Sequence, residues 1–528
     1  MRAPFISAGL CAVALATAVA GTARGQPEAH GLTLEATLRQ TLAQNPDTRV
    51  QQRQVEVNRG LVLQAQGAFD PVLSASATRD REYRPLRIDE QSALDAAGIT
   101  TVHEQLTDMT SYRVGVDRTL KSGIALGSVF SVSSAADRLL WLQSVPRQTV
   151  GRLAFTLRVP LLRNAGRDVA GAVLDAAEAR LAAAQAELLS ANAKAILSAA
   201  LAYWDYAAKA RRVDIIRTSE ARVTALVEET RKLIAADQIP AAELNLVLAN
   251  LAEKRSARIA TEQSYVESRL ALARVLGLES AQAARLARPV DDFPGVSPAA
   301  RRVSDRLEAL RRFALAMRAD IEAARYTEQA ARYGVAAARQ NLKPQLDLDF
   351  SLAYSGLVQG SGPGNFNSAF NSAQTGPSAL ATIGLQWPWE NAAARGVFTA
   401  QSAFFDTSSI RLRDLEAEVG SNVPVLAEAL RRSAEQLEQG AESVRRYAVT
   451  LDNEQTKRRL GTATLIDVIN VEDRLSNALL AYVQLRQGYA NAIARLRYEI
   501  GAIVRREGEG YVVRPEDFMD ARFDEEQP

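Results

Sequence analysis

The sequence predicts an α+β membrane protein in which one unit, ordered helix, strand, strand, helix and helix, occurs twice. Three observations lead to this fold class: residues that recur in the same order along the 528-residue chain, segments with strand periodicity, and two proline-poor segments of about 70 residues each.

Residues 1–25 have the features of a secretory signal peptide. A positive charge near the start precedes an apolar run, and small residues including Ala23 and Gly25 follow it. Cys11, the only cysteine, lies in this run, so we expect no disulfides in the mature chain. No later apolar stretch is long enough for a transmembrane helix, so any membrane contact must use strands. With 63 basic against 61 acidic residues, we expect no nucleic-acid partner.

The rest of the chain is a duplication. The matched pairs are Asp47 with Asp320 and Pro71 with Pro344 (a shift of 273 in residue number), Pro160 with Pro388 and Arg167 with Arg395 (a shift of 228), and Glu243 with Asp467 (a shift of 224). The fall from 273 to 228 gives the first copy 45 extra residues. We therefore divide the chain into the signal peptide, a first repeat (26–300), a second repeat (301–503) and a C-terminal tail (504–528).

Apolar and polar residues alternate in four predicted strands: 346–354 and 379–387 in the second repeat, 153–159 and a weaker segment after Pro71 in the first. Residues 355–378 are rich in Gly, Ser and Asn and predict a long loop. Such strands suit a soluble hairpin or an outer-membrane barrel, and the duplication favours the barrel. Trp141, Trp387 and Trp389 lie near strand ends, where interfacial aromatics anchor a barrel.

Long helices are predicted at 164–235 and 391–459, each about 105 Å long at 1.5 Å per residue. The shorter predicted helices 33–68 and 240–276 together match the first long helix in length. Stacked end to end beside it, they would form the wall of a tube.

The segments LTLEATLRQTLAQNPDTR, VPLLRNAGR and GTATLIDVINVEDRL, in this order and with the duplication, resemble the TolC-type outer membrane efflux and secretion channel family over residues 32–503. The resemblance implies a homotrimer in which each chain gives four strands to one transmembrane β-barrel and its helices to a long periplasmic α-helical barrel. It implies a passive outer-membrane export duct of a tripartite efflux pump or type I secretion system. The expected partners are outer-membrane lipid, a periplasmic adaptor protein and an inner-membrane transporter, with most of the chain in the periplasm.

Two segments depart from this pattern. The 45 extra residues predict another hairpin, turning at residues 121–123, which either joins the barrel or extends an external loop. The tail after Gly501 has no strong periodicity and predicts either a strap or a disordered segment.

Enzymatic chemistry has little support in the sequence. The only histidines, His30 and His103, are too few for a histidine metal site or a histidine-based triad, so we expect no catalytic, metal or cofactor site. GSGPGN at 360–365 lacks the lysine of a phosphate-binding loop, and we expect no helix after it. The alternative function is a periplasmic adaptor or coiled-coil scaffold, but two helical hairpins alternating with amphipathic strands favour the duct.

The two sharp turns between helices are the candidate functional sites. In the second repeat, Gly461 suits a left-handed helix cap, and Thr464 with Asp467 suits a capping box at the next helix. Asp237 and Pro240 lie in the matched turn of the first repeat. Both turns are expected at the end of the tube farthest from the strands.

A second interpretation of Asp467, compatible with the cap, places it with Glu243 at the periplasmic mouth of the channel. Three chains would then bring six carboxylates towards one axis and attract cations. Members of the family that this stretch resembles carry a second Asp one turn further on, where this chain has Asn470. We therefore expect a less acidic gate that binds divalent cations less tightly, with Arg458 altering the tip contacts further.

Overall fold

A computed structural model describes residues 31–100, 102–137, 146–360, 362–507 and 510–523. The predicted signal peptide, His30 and Trp141 lie outside the described residues. The helices are α1 (Leu34–Gln44), α2 (Pro46–Gln66), α3 (Ile88–Ala96), α4 (Ala172–Ala235), α5 (Glu243–Val275), α6 (Leu307–Met317), α7 (Ala319–Gln340), α8 (Phe366–Phe370), α9 (Ala392–Arg459) and α10 (Leu465–Glu499). Single α-helical turns occupy Arg167–Ala170, Ser280–Ala283 and Pro298–Arg301, and 3-10 turns occupy Gly67–Phe69, Val303–Arg306, Pro363–Asn365 and Pro515–Phe518.

The strands are β1 (Val72–Pro85), β2 (Glu104–Thr119), β3 (Ala125–Asp137), β4 (Gln148–Pro160), β5 (Gln345–Gln359), β6 (Thr375–Gln386), β7 (Arg505–Glu507) and β8 (Gly510–Val512). The first six form one antiparallel sheet in sequence order, and β7 pairs with β8. Within the described residues, β1 and β6 are the two edges of the large sheet, because each pairs with one neighbour.

The four strands predicted from alternation are confirmed, and the structure places six strands, two more than the four expected, in one sheet. The 45 extra residues contain the β2–β3 hairpin, which lies in the sheet between β1 and β4. The long loop predicted at 355–378 is shorter, because β5 continues to Gln359 and β6 begins at Thr375. The expectation of no helix after residues 360–365 is wrong, because α8 follows them. Phe370 in α8 stacks on Tyr354 of the sheet, with ring centroids 6.3 Å apart.

In the half nearer the helices, the six-stranded sheet has one apolar and one polar face, whereas farther away Arg79, Arg81 and Asp108 lie on the apolar side. A row of cross-strand partners on the apolar face is Ala75, Val114, Phe130, Leu153, Tyr354 and Pro377. The adjacent row, on the polar face, is Ser76, Arg113, Ser131, Arg152, Ser355 and Gly376. Side chains alternate between faces along a strand, so the sequence pattern of each strand sets the chemistry of both faces. Many apolar-face side chains remain exposed, including Leu352 (62%) and Ile383 (70%).

The long helices begin next to the sheet and carry the chain away from it. α4 has 64 residues and α9 has 68, so each is about 100 Å long. Near the sheet, α2 packs on α4, α4 on α7 and α7 on α9. Further away, α5 and α10 replace α2 and α7 beside the same long helices. The helical part of the chain therefore has four columns of helix throughout its length, and the short helices stack end to end as their lengths predicted.

Equivalent residues hold the two joints between stacked helices. Asn45, which caps α2, donates its side-chain amide to the carbonyl of Val275 at the end of α5 (2.9 Å). Its counterpart in the second repeat, Arg318, precedes α7 and forms a 2.8 Å ion pair with Glu499 at the end of α10. The packing of the two repeats thus follows the duplication seen in the sequence.

The C-terminal tail is a strap in the part that the structure describes, which ends at Phe523. Phe518 is completely buried in a core with Trp204 of α4 and Leu38 of α1. The buried guanidinium of Arg497 in α10 donates to the carbonyl of Arg522 (2.8 Å). Of the two alternatives that the sequence left open, the strap is confirmed for these residues.

Among the helices of the described ranges, none has both the length and the apolar character that crossing a membrane requires.

Candidate functional site at the helical tips

The turns between α4 and α5 and between α9 and α10 lie together, about 100 Å along the long helices from the sheet. An apolar cluster joins the three helices next to them: Val223 and Val227 of α4, Val247 of α5, and Leu465 and Ile469 of α10. Both turns are therefore at the same end of the molecule, as the sequence predicted. We call this end the tip.

The turn of the second repeat forms the predicted caps. Gly461 has a φ of 75°, a conformation that glycine adopts without strain, and its N–H donates to the carbonyl of Arg458 (2.9 Å). The Thr464 N–H donates to the Asp467 carboxylate (2.9 Å), and the Asp467 N–H donates to the Thr464 hydroxyl (3.3 Å). Hydrogen bonds from the side chain and backbone of Thr464 lower the pKa of Asp467 below its ordinary value. The capping role of Asp467 is confirmed.

The matched turn of the first repeat is built differently. Asp237 takes the left-handed conformation (φ 53°) that Gly461 takes in the second, and its N–H donates to the carbonyl of Ile234 (3.0 Å). Pro240 is exposed, and Glu243 is the first residue of α5. Glu243 and Asp467 thus lie in the first turns of equivalent helices at one end of the molecule. A ring of carboxylates around a channel axis stays a prediction.

The other two candidate residues differ in environment. The Arg458 side chain is only 12% exposed, and its Nη1 lies 3.6 Å from Glu229 Oε2 of α4. Arg458 therefore links the second repeat to the first. Asn470 is exposed one turn beyond Asp467 on α10.

A buried polar cluster lies about two to four helical turns from the tip, and the sequence reasoning missed it. Glu472 of α10 is 5% exposed and accepts hydrogen bonds from Ser219 (3.0 Å) and Arg222 (2.9 Å) of α4 and from Ser476 (2.9 Å). The ammonium of Lys254 on α5 lies 3.6 Å from its other oxygen. One buried carboxylate therefore ties together α4, α5 and α10.

A signal for this cluster exists in the sequence. Glu472 follows Ile469 by three residues and precedes Leu475 by three, so it shares the buried stripe of α10 with apolar residues. A carboxylate in a buried stripe requires charged and hydrogen-bonding partners on the facing helices. Apart from Ser476, the partners lie far away in the chain, on α4 and α5, and become visible only in the structure.

Residues 310–502 match the model of the family described as "outer membrane efflux protein". This chain carries an outer membrane efflux protein domain. The matched residues include α7, the second-repeat strands, α9 and α10 with the tip residue Asp467. Among curated protein sequences, none matches the chain.

Solved structures of outer-membrane channels share the fold. The outer-membrane channel OprN is 16% identical, with a TM-score of 0.61 and coverage of 89% of this chain and 90% of that chain. The outer membrane protein VceC of Vibrio cholerae is 18% identical, with a TM-score of 0.61 and coverage of 89% and 96%. The CmeC channel of Campylobacter jejuni is 13% identical, with a TM-score of 0.59 and coverage of 89% and 85%.

The family match confirms the resemblance identified from the sequence, together with the predicted outer-membrane location and export function. The alternative function, a periplasmic adaptor or coiled-coil scaffold, is not favoured by this match. The structural likeness, which extends over nine-tenths of each chain, supports the same fold for both repeats.

Proposed function

We propose that the protein is one protomer of a homotrimeric, passive duct that carries substrate across the periplasm and the outer membrane without enzymatic activity of its own. The observation that carries this proposal is the six-stranded sheet with one apolar face, one polar face and two open edges.

The two faces of this sheet suit a barrel wall with lipid on one side and water on the other. Exposed apolar side chains such as Leu352 and Ile383 would contact lipid tails, while Arg152 and Ser355 on the polar face would line water. Unpaired backbone groups of an edge strand are costly in lipid, so β1 and β6 require partners. β1 leads away from the helices and β6 returns to them, so β6 of one protomer can pair antiparallel with β1 of the next. Three copies would then close one barrel.

The helices would continue this barrel as a tube. Four columns per protomer give twelve in a trimer, with the tip about 100 Å from the sheet. The joints at Asn45 and Arg318 keep the stacked short helices in line with the long ones. This arrangement supports a duct that bridges most of the periplasm.

The tip would be the periplasmic mouth and the contact site for a periplasmic adaptor and an inner-membrane transporter. Asp467 and Asn470 are exposed there, and Glu243 is half-buried at the start of the equivalent helix. The carboxylates of Asp467 and Glu243 would attract cations at the entrance. Similar solved structures are outer-membrane channels, and they include MtrE of Neisseria gonorrhoeae in an open state.

Disulfide crosslinking between edge strands tests the proposal. Mature protein without the signal peptide contains no cysteine, so paired substitutions report cleanly. With Ala77→Cys on β1 combined in turn with Ala379→Cys or Ala381→Cys on β6, oxidation in outer membranes should produce dimers and trimers on a non-reducing gel, and no larger species. The pair Ala77→Cys with Tyr112→Cys, whose residues are partners within one chain, is the control and should stay monomeric. A soluble periplasmic monomer without interchain bands would refute the trimeric duct.

A further inference from the structure

The inserted β2–β3 hairpin continues the sheet without interruption. β1 pairs with β2 from Val72 opposite Asp117 to Pro85 opposite Glu104. β3 pairs with β2 on one side and with β4 on the other over nearly its whole length. A hairpin that served only as an external loop would not separate β1 from β4 along the wall.

The hairpin also has the same two faces as its neighbours. On the apolar face, Val116 lies in one row with Leu352, through Ser128 and Phe155. On the polar face, Ser131 lies in one row with Ser355, through Arg152. Tyr112, Val114, Val116 and Leu126 of the hairpin are 42–48% exposed on the apolar side. Lipid contact would be favourable for these side chains in the same way as for those of β5 and β6.

The turn of the hairpin is fixed at the junction between sheet and helices. Gly123 has a φ of 87°, and a Cβ added there would lie 2.2 Å from the carbonyl oxygen of Asn164. The Gly166 N–H donates to the carbonyl of Ser122 (3.3 Å). The turn therefore packs against the segment that joins β4 to α4, at the level where the wall meets the tube.

We propose that all six strands of each protomer form the barrel wall, so that the trimer closes an eighteen-strand barrel instead of the twelve-strand barrel that four strands per chain would give. This inference rests on the proposed function, because it requires the trimeric duct. The diameter of a barrel grows roughly in proportion to its strand number, so this barrel would be about 1.5 times as wide. Each edge of the sheet would pair with the opposite edge of a neighbouring copy of this chain, β6 with β1.

The tube below has a matching circumference. Strands about 4.8 Å apart and tilted by about 40° each take up about 6 Å of circumference, so eighteen take up about 110 Å. Twelve helix columns about 9 Å apart take up about 110 Å as well. Twelve strands would take up only about 75 Å. An eighteen-strand wall therefore meets the tube without a step in width.

Single cysteines in the full-length trimer test the wall position of the hairpin. Val116→Cys on the hairpin is matched with Leu352→Cys, and Ser131→Cys with Ser355→Cys, because each pair shares a row of the sheet. Each variant is reacted in membranes with a charged, water-soluble thiol reagent. Each is also labelled with a fluorophore and reconstituted with brominated phospholipid, which quenches fluorophores in the hydrocarbon region.

The expected result is that Val116→Cys behaves like Leu352→Cys, with strong lipid quenching and aqueous labelling at least 10-fold slower than at Ser131→Cys. Ser131→Cys should label as fast as Ser355→Cys and escape quenching. If the β5 positions alternate in this way but both hairpin positions label rapidly and equally, the eighteen-strand wall is refuted and the duct stands. If the β5 positions also fail to alternate, the membrane duct itself is refuted. Should Val116→Cys not assemble, Leu126→Cys on the same face replaces it.

Discussion

Replacing Glu472 by alanine should loosen the tip. The substitution removes the acceptor for the hydroxyls of Ser219 (0% exposed) and Ser476 (2%) and leaves the charge of Arg222 without its buried partner, while Lys254 keeps Asp473 at 2.6 Å. Breaking a buried ion pair by removing one member costs about 3–5 kcal/mol. The lower end applies here, because the Arg222 side chain is 31% exposed and can be partly rehydrated. A loss of about 3 kcal/mol corresponds to an increase of about 100-fold in local opening.

Hydrogen exchange of the detergent-solubilised trimer, followed by mass spectrometry, measures this opening. The amides of 465–476 in α10 should exchange about 100-fold faster in Glu472→Ala, with little change near the sheet. Glu472→Gln keeps an acceptor for the serines, so its exchange rate should lie between those of the unsubstituted protein and Glu472→Ala. Glu442→Ala is the matched control, since Glu442 forms an exposed ion pair with Arg446 on α9 and should have no measurable effect. Equal exchange in the Glu472 and Glu442 variants would refute the role assigned to the cluster.

In planar bilayers, Asp467→Ala should raise conductance or reduce block by divalent cations, and unchanged values would remove the gate role. The lowered pKa of Asp467 means that its cap is intact above about pH 4 and is lost as the pH falls through the folded pKa, so exchange in the first turn of α10 should rise only below about pH 4. Phe518→Ala should cost about 3–5 kcal/mol in packing and expose the tail to proteolysis, while the exposed Met519→Ala should not. Gly123→Ala should lower the yield of trimer more than Gly98→Ala, which shares a positive φ but has open space; equal yields would contradict the turn docking.

Much of the fold could be predicted because it follows from local sequence patterns that occur in both repeats. Alternation between apolar and polar residues set the two faces of β5 and β6, and the spacing of matched residues such as Pro71 and Pro344 established the duplication. Gly461, Thr464 and Asp467 have cap preferences that act within a few residues, so the second tip turn was also predictable.

The remaining features could not be predicted because they depend on contacts between residues far apart in the sequence. The inserted hairpin contains Gly115, Gly127 and several serines, so its own alternation is weak, and only pairing with β1 and β4 shows that it belongs to the sheet. The tail has no periodicity of its own, because single residues such as Phe518 fill a core built by other helices. The charged partners of Glu472 lie in the other repeat of the chain, on α4 and α5, and no local pattern reveals them.

Single-particle electron microscopy of the full chain in lipid nanodiscs tests the trimeric duct most directly. The account predicts a three-fold particle in which β6 of each protomer lies beside β1 of the next, with a closed wall in the lipid and a helical tube about 100 Å long below it. A monomeric particle, or one whose sheet lies outside the lipid with its edges open, would contradict it.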